Sequence, residues 1–456
     1  FDGVPLSTSG PIDPAFTDYS KRVMYRGFDV TPFLLGTSNH HVIGVTMGSG
    51  WWDHRPITGM AKPELLANGP STIIAQLYLT TASGKVHITM PTKGSDATWQ
   101  VSRGHIIESD LFTGEMVDLS TLTAMEGWDT SSKWSIAEKK VSPRQNHWSL
   151  PVSYMTNITQ RERREKLSVR AKALDQTETT TQTTNSGYFA SPIGHLVPSE
   201  MPPILPMESI APDEIHDLGS GRWLLDSGRA FSGMLHFDEG LPQPIIPHNN
   251  TYPRAHGFSD AIEKRWPFIT VVYGESLELT TGDINRVLVA GMGLHDGGPR
   301  HQSKPQGAQD NVFCFPEDHD GILTQKDVYV VPKNSDKTSK PYSKARQSHF
   351  TTHAFRFAEI CCTSEPPRNV HALMYRTAIQ EWGTFDSSNV LLNGGYELVK
   401  NSMRSNLLSV QSDCPHREKL PYGGDLIASS PSAMHMFDMS AFYKKTIRDW
   451  MDAQWD

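Results

Sequence analysis

The pattern of apolar and polar positions divides the chain into a long strand-like part and a short helical end. His41-Val42-Ile43-Gly44-Val45-Thr46-Met47 and Ile73-Ile74-Ala75-Gln76-Leu77-Tyr78-Leu79 are rich in β-forming residues. Lys85-Val86-His87-Ile88-Thr89-Met90 alternates at period two, as a half-buried strand does. Phe268-Ile269-Thr270-Val271-Val272-Tyr273, Arg286-Val287-Leu288-Val289-Ala290 and Asp327-Val328-Tyr329-Val330-Val331 begin a second strand-rich block. Short strands with turn signals between them predict β-sandwich architecture. The period then switches. Leu392, Tyr396, Val399, Met403 and Leu407 recur at helical spacing behind Ser387 or Ser388 as N-cap, and Met436, Met439, Tyr443, Ile447 and Trp450 repeat the pattern. This predicts two helices joined by a loop.

Three segments interrupt these patterns. Residues 155–195 begin basic and become Thr/Gln-rich between Thr177 and Thr184, as an exposed insertion would. Pro198-Ser199-Glu200-Met201-Pro202-Pro203 reads as a stiff linker, and the Gly/Pro/Gln/His-rich stretch 292–310 as a long loop. A length of 456 residues accommodates several domains, and 37% hydrophobic content with 35 Gly and 31 Pro favours short strands and turns over a helical bundle. The expected organisation is mainly β and multidomain: an N-terminal β-sandwich over 1–200, jelly-roll-like with the insertion near 155–195; a second β-sandwich over 201–375; and a helical segment over 376–456.

Charge and cysteine usage narrow the function classes. A net charge of −8 argues against a nucleic-acid partner, and the basic run 161–166 is interleaved with Glu as on a solvated face. No apolar run is long enough to span a membrane, and no signal-peptide pattern is visible. The four cysteines form no CxxC pair, which argues against structural zinc and against a disulfide framework. Asn157-Ile158-Thr159 and Asn249-Asn250-Thr251 would be glycosylation sites in a eukaryotic secretory setting.

Candidate chemistry concentrates between the two predicted helices. Residues 412–425 hold Asp413, Glu418 and Asp425 together with His416 and Arg417, beside Pro415, Pro421 and the pair Gly423-Gly424. Glycoside hydrolysis uses such a set: a protonated carboxyl for the leaving oxygen, a carboxylate opposite it, and acceptors that grip hydroxyls. A surface loop with ordinary charges explains the same residues, with Arg417 pairing Asp413 or Glu418 and His416 as a structural hydrogen-bonder. Cys414 reads as a buried small residue, because no His–Asn arrangement accompanies it.

Asp413-Cys414-Pro415-x-Arg417-Glu418-Lys419 resembles the Asp-Cys-Pro signature of the α-L-rhamnosidases of glycoside hydrolase family 78. Phe385-Asp386-Ser387-Ser388-Asn389-Val390-Leu391-Leu392-Asn393 and Arg404-Ser405-Asn406-Leu407-Leu408-Ser409-Val410 resemble that family's entry into its helical domain. Upstream, 17–25, Phe28-Asp29-Val30-Thr31, Gly48-Ser49-Gly50-Trp51-Trp52, Gly114-Glu115-Met116-Val117-Asp118 and Gly127-Trp128 are similar to its N-terminal sandwich. Asp226-Ser227-Gly228-Arg229-Ala230-Phe231-Ser232-Gly233 and 353–360 are similar to the start and the last strand of its second sandwich.

The resemblance implies two β-sandwiches followed by the beginning of an (α/α) toroid of six helical hairpins, and an inverting glycosidase. It places the general acid on Glu418 and sugar-gripping acids on Asp413 and Asp425, with Arg417 orienting a carboxylate or holding a rhamnose hydroxyl. Many members have Gly-Trp where this chain has Pro421-Tyr422, so the Tyr422 ring would stack on the sugar's apolar face. The implied substrate is a carbohydrate containing α-L-rhamnose, with no cofactor, no metal and no membrane partner, in an extracellular or periplasmic setting. The family's general base lies further along the toroid, so a C-terminal segment or a second chain would complete it.

Two other readings are open. One is a rhamnosyl-glucuronate lyase on the same fold, with His416, Arg417 and Lys419 as base and carboxylate-binding groups. The other is a non-catalytic carbohydrate-binding protein using Trp51, Trp52 and Trp128, although a Trp in a β-sandwich is more commonly core.

Overall fold

The computed structural model describes residues 1, 2, 4, 6, 10–35, 41–52, 71–81, 83–89, 100–101, 104–119, 135–136, 194–245, 268–277, 282, 284, 325–331, 346–416 and 418–454. The strand expected over 286–290, the loop 292–310, all but the last two residues of the insertion 155–195, Trp128, both sequons and Arg417 lie outside the described residues.

The architecture is mostly β, with a helical segment at the C-terminal end. A nine-stranded sheet runs in the order Ile106–Asp110, Gly114–Asp118, Lys326–Val330, Phe268–Gly274, His353–Cys361, Arg222–Phe237, Val370–Thr377 and Ile204–Ile210, with Glu214–Gly219 pairing on Arg222–Phe237. Phe268–Gly274 is buried along its whole length, which explains why it reads as a continuous apolar run and not as an alternation. Leu235, Phe237, Ile269, Val271, Tyr273, Tyr329, Phe355 and Ile360 belong to the core cluster against this sheet. Each large side chain buried there contributes about 1.5–3 kcal/mol of hydrophobic stabilisation.

Local chemistry sets the turns. Asp110 accepts the N–H groups of Phe112 and Thr113 at 2.9 and 3.0 Å and folds the chain back into Gly114–Asp118. Gly114 has φ +120°, and a Cβ there would lie 1.9 Å from the carbonyl oxygen of Lys326. Only glycine lets this strand lie parallel to Lys326–Val330. Through it, strands before residue 120 share one sheet with strands after residue 200. Gly228, φ +71°, occupies the register shift between Asp226 and Phe231, where Arg356 forks onto Asp226 at 2.7 Å from both Nε and Nη2.

The structure corrects several expectations. Residues 41–47 form no strand; Val42 exchanges hydrogen bonds with Asp2, and Val45 and Met47 are exposed, so β propensity there builds no ladder among the described residues. The strand read at 73–79 lies at Gln76–Thr81 and pairs with Gly84–Thr89. Trp51 is buried and packs on Phe16 and Phe112, the core role a sandwich Trp usually has. Cys362 is disulfide-bonded, against the expectation from cysteine spacing, while Cys361 and Cys414 remain thiols.

Among the described residues the helices are α1 (Thr31–Leu34), α2 (Val390–Asn406), α3 (Gly423–Met436) and α4 (Ser440–Asp452). The C-terminal segment thus has three helices and not two. Gly423, Gly424 and the internal Pro431 weaken the helical signal of α3, and the extended Phe437 breaks it from α4. Asn389, not Ser387 or Ser388, caps α2, accepting from the N–H of Leu391 at 2.9 Å. The expected apolar face of α2 is also displaced: Leu392 and Val399 are exposed, while Lys400 and Ser405 are buried. Polar anchors dock this helix. Asn401 Nδ2 donates to Ala230 O at 2.7 Å, and Arg404 forks onto Glu381 at 2.9 and 2.7 Å.

A second core cluster joins the N-terminal segment to the helices through Ala15, Met24, Ile379, Leu407, Phe437 and Phe442. Arg22 bridges Asp449 and Asp452 of α4 at 2.8 and 2.5 Å. The N–H of Phe16 donates to Ser409 Oγ at 2.6 Å.

Candidate active site

The acid-rich loop leaves α2 through a tight hairpin. Leu407–Leu408 pairs with Val410–Gln411 about Ser409, which has φ +70°. Gln411 is gripped from both following helices: its Nε2 donates to Ser429 Oγ at 2.6 Å, and Tyr443 donates to its Oε1 at 2.9 Å. The loop then closes on itself. Asp413 N–H donates to Leu420 O at 3.1 Å, and Leu420 N–H donates back to Asp413 Oδ1 at 3.2 Å.

Inside this ring the side chains of Asp413, Cys414 and Glu418 converge, with ligand-capable atoms all within 4.8 Å of one another. Glu418 is buried, and its N–H donates to Cys414 Sγ at 3.4 Å. Tyr422, the N-cap residue of α3, adds its hydroxyl. Burial raises the phenol well above its ordinary value, reinforced by a hydrogen bond to Glu418 and the negative charges of Glu418 and Asp413. The three acidic and thiol groups are also one of two sets among the described residues whose donors could hold a metal ion.

The other expected residues lie apart from this cluster. Asp425 is exposed in the first turn of α3. His416 Nδ1 lies 3.4 Å from Glu275, just past the strand Phe268–Gly274. Glu275 has no motif in the sequence to mark it, because only the fold brings it beside the loop. Lys419 is buried with φ +53°. Its Nζ donates to Leu111 O at 2.8 Å and Thr352 O at 2.6 Å. Burial pushes this ammonium down to about 7, partly opposed by Asp110. Lys419 is therefore an anchor between loop and sheet, its Nζ committed to two buried carbonyls. Cys414, read from the sequence as a buried small residue, is half-buried and lies beside Asp413 and Glu418.

Sequence and structure comparisons fit this geometry. The family model for the α-L-rhamnosidase N-terminal domain matches residues 4–157, and that for the bacterial α-L-rhamnosidase 6 hairpin glycosidase domain matches residues 380–456. The chain is 24% identical over 447 residues to an α-L-rhamnosidase of Formosa agariphila, covering 96% of this chain and 35% of that protein. Among solved structures it is similar to α-L-rhamnosidase from Dictyoglumus thermophilum, with TM-score 0.61 and 20% identity, covering 100% of this chain and 38% of the other. It is likewise similar to Streptomyces avermitilis α-L-rhamnosidase complexed with L-rhamnose, with TM-score 0.61 and 18% identity over 98% of this chain and 33% of the other. The chain spans about a third of the length of the curated relatives it matches.

Proposed function

Because the chain belongs to the α-L-rhamnosidases of glycoside hydrolase family 78, we propose that it forms the sandwich part and first helices of an enzyme that hydrolyses terminal α-L-rhamnose from a glycoside or polysaccharide. Its sandwiches are those read over 1–200 and 201–375, joined into one sheet where Gly114–Asp118 pairs with Lys326–Val330, and the toroid starts over 376–456. The observation that carries it is the convergence of Asp413, Glu418 and Tyr422 in the loop between α2 and α3. Glu418 is the general acid, protonating the leaving glycosidic oxygen. Asp413 and Asp425 grip sugar hydroxyls, Tyr422 orients Glu418, His416 serves substrate binding, and Arg417 orients a carboxylate or holds a rhamnose hydroxyl.

The mechanism is inverting, with water attacking the anomeric carbon from the face opposite Glu418. Such a pair of carboxyls stands roughly 6.5–9.5 Å apart. Asp413 approaches Glu418 within 4.8 Å and shares its loop, so it is too close to be the opposing base. The base is supplied by the later helices of the six-hairpin domain, either as a C-terminal segment or as a second chain. Val390, Leu391, Leu398, Ile427 and Met451 expose large apolar side chains on α2, α3 and α4, where those helices would pack. The enzyme works outside the cytoplasm, in an extracellular or periplasmic setting where such glycosides are met. Among the described residues no helix is long and apolar enough to cross a membrane.

The test is rhamnose release from an aryl α-L-rhamnoside by the chain and by Glu418→Gln, each alone and joined to the remaining helices of a six-hairpin domain. Activity is expected in the joined form and lower by about 10²–10⁴-fold in the variant. Release unchanged by Glu418→Gln would overturn the assignment. With a rhamnosyl-glucuronate as substrate, an unsaturated uronate product would establish lyase chemistry instead.

A further inference from the structure

A second cluster of metal-capable side chains lies on the large sheet. His236, in Arg222–Phe237, is the direct cross-strand neighbour of His371, in Val370–Thr377. Their rings face one another with centroids 5.1 Å apart. Asp238 follows immediately after the first strand and turns its carboxylate between them: His236 Nε2 lies 3.4 Å from Oδ1 and His371 Nδ1 lies 3.3 Å from Oδ2. The turn is pinned, because Asp238 N–H donates to Asn369 O at 3.1 Å. We propose that His236, Asp238 and His371 form a binding site for a divalent transition-metal ion, with zinc the best match, which staples these two strands at the sheet surface.

Three features support this. The donor set is two imidazoles and one carboxylate, a combination that suits zinc. The spacing fits, since a tetrahedral ion with bonds of about 2.0–2.1 Å holds its ligands roughly 3.3–3.4 Å apart. The third is the second hydrogen bond of His236. Its Nδ1 lies 3.0 Å from the amide oxygen of Gln347, which can only accept. Nδ1 is thereby engaged, with Nε2 on the side of the Asp238 carboxylate, and Gln347 holds the ring as an outer partner commonly holds a metal-bound histidine. Asp238 is half-exposed, which leaves a fourth position open to water.

The test is calorimetric titration of Zn²⁺ into the metal-free chain and into Asp238→Asn. About one equivalent is expected to be bound by the unmodified chain and to bind at least about tenfold more weakly in the variant, with a smaller loss in Gln347→Ala. Asp238 lies on the surface, so its variant is expected to fold. As a check that needs no variant, carbethoxylation of His236 and His371 by diethyl pyrocarbonate, read by peptide mass spectrometry, is expected to be suppressed by Zn²⁺. Absence of Zn²⁺ binding by the unmodified chain, binding to Asp238→Asn as tight as to the unmodified chain, or equal modification of both histidines with and without Zn²⁺, would overturn the proposal.

Discussion

Lys419 Nζ donates to the carbonyl oxygen of Thr352 at 2.6 Å, fastening the acid-rich loop of the helical segment to the sheet that carries it. The same nitrogen reaches Leu111 O at 2.8 Å, so one side chain spans three distant parts of the chain. A neutral amine has two N–H groups, enough for both carbonyls, which suits a side chain whose charge is costly to bury.

Replacing Lys419 with Met is expected to destabilise the protein by about 1–3 kcal/mol, because the buried carbonyls lose their donor. The pH dependence is also specified. The folded value, about 7, lies below the unfolded value of about 10.5. Between these values the unfolded chain holds more protons, so this residue makes stability rise with pH from about 7 towards 10.5. Urea denaturation across that range should show the rise in the unmodified chain and its loss in Lys419→Met.

Glu381 gathers Arg376, Arg404 and Lys400 at the junction of the last sheet strand and α2. The hydrogen bond from Arg404, reinforced by Lys400 and opposed by burial, holds its carboxyl down to about 2. A depressed carboxylate stabilises the fold above its unfolded value of about 4.5 and loses that effect as pH falls towards 2. Glu381→Gln is expected to cost about 1–3 kcal/mol at pH 7. The gap from the unmodified chain should narrow steadily in denaturation curves taken at pH 4 and pH 3.

Tyr422→Phe keeps the ring and removes the hydroxyl that bonds Glu418. In the form joined to the complete six-hairpin domain, kcat is expected to fall about tenfold to a hundredfold. KM should change less, since the hydroxyl acts through Glu418. A raised KM at constant kcat would make Tyr422 a binding residue only.

Asn389→Ala removes the side-chain cap of α2 and is expected to cost about 1 kcal/mol, whereas Asn389→Ser should be close to neutral. Thermal melts of the two variants distinguish capping from bulk packing. Ser387→Ala supplies the contrast: its hydroxyl serves Asn393 and Asn389 and caps no helix N–H, so a smaller loss is expected.

By itself the sequence determined the change from strands to helices, the acid-rich loop between them and the family. These are local signals: periodicity, turn residues and a short contiguous motif such as Asp413-Cys414-Pro415 survive in one dimension. Asp413 and Glu418 were legible as a pair because one closed loop holds both. Tertiary structure decided what depends on distant partners. Residues 41–47 have strand composition but form no strand, and Leu392 and Val399 have helical spacing but are exposed. Glu275 reaches His416, Lys419 reaches Leu111 and Thr352, and His236 meets His371 only through strand pairing. Sheet register and docking bring such residues together across long stretches of chain, and no spacing along the sequence encodes that proximity.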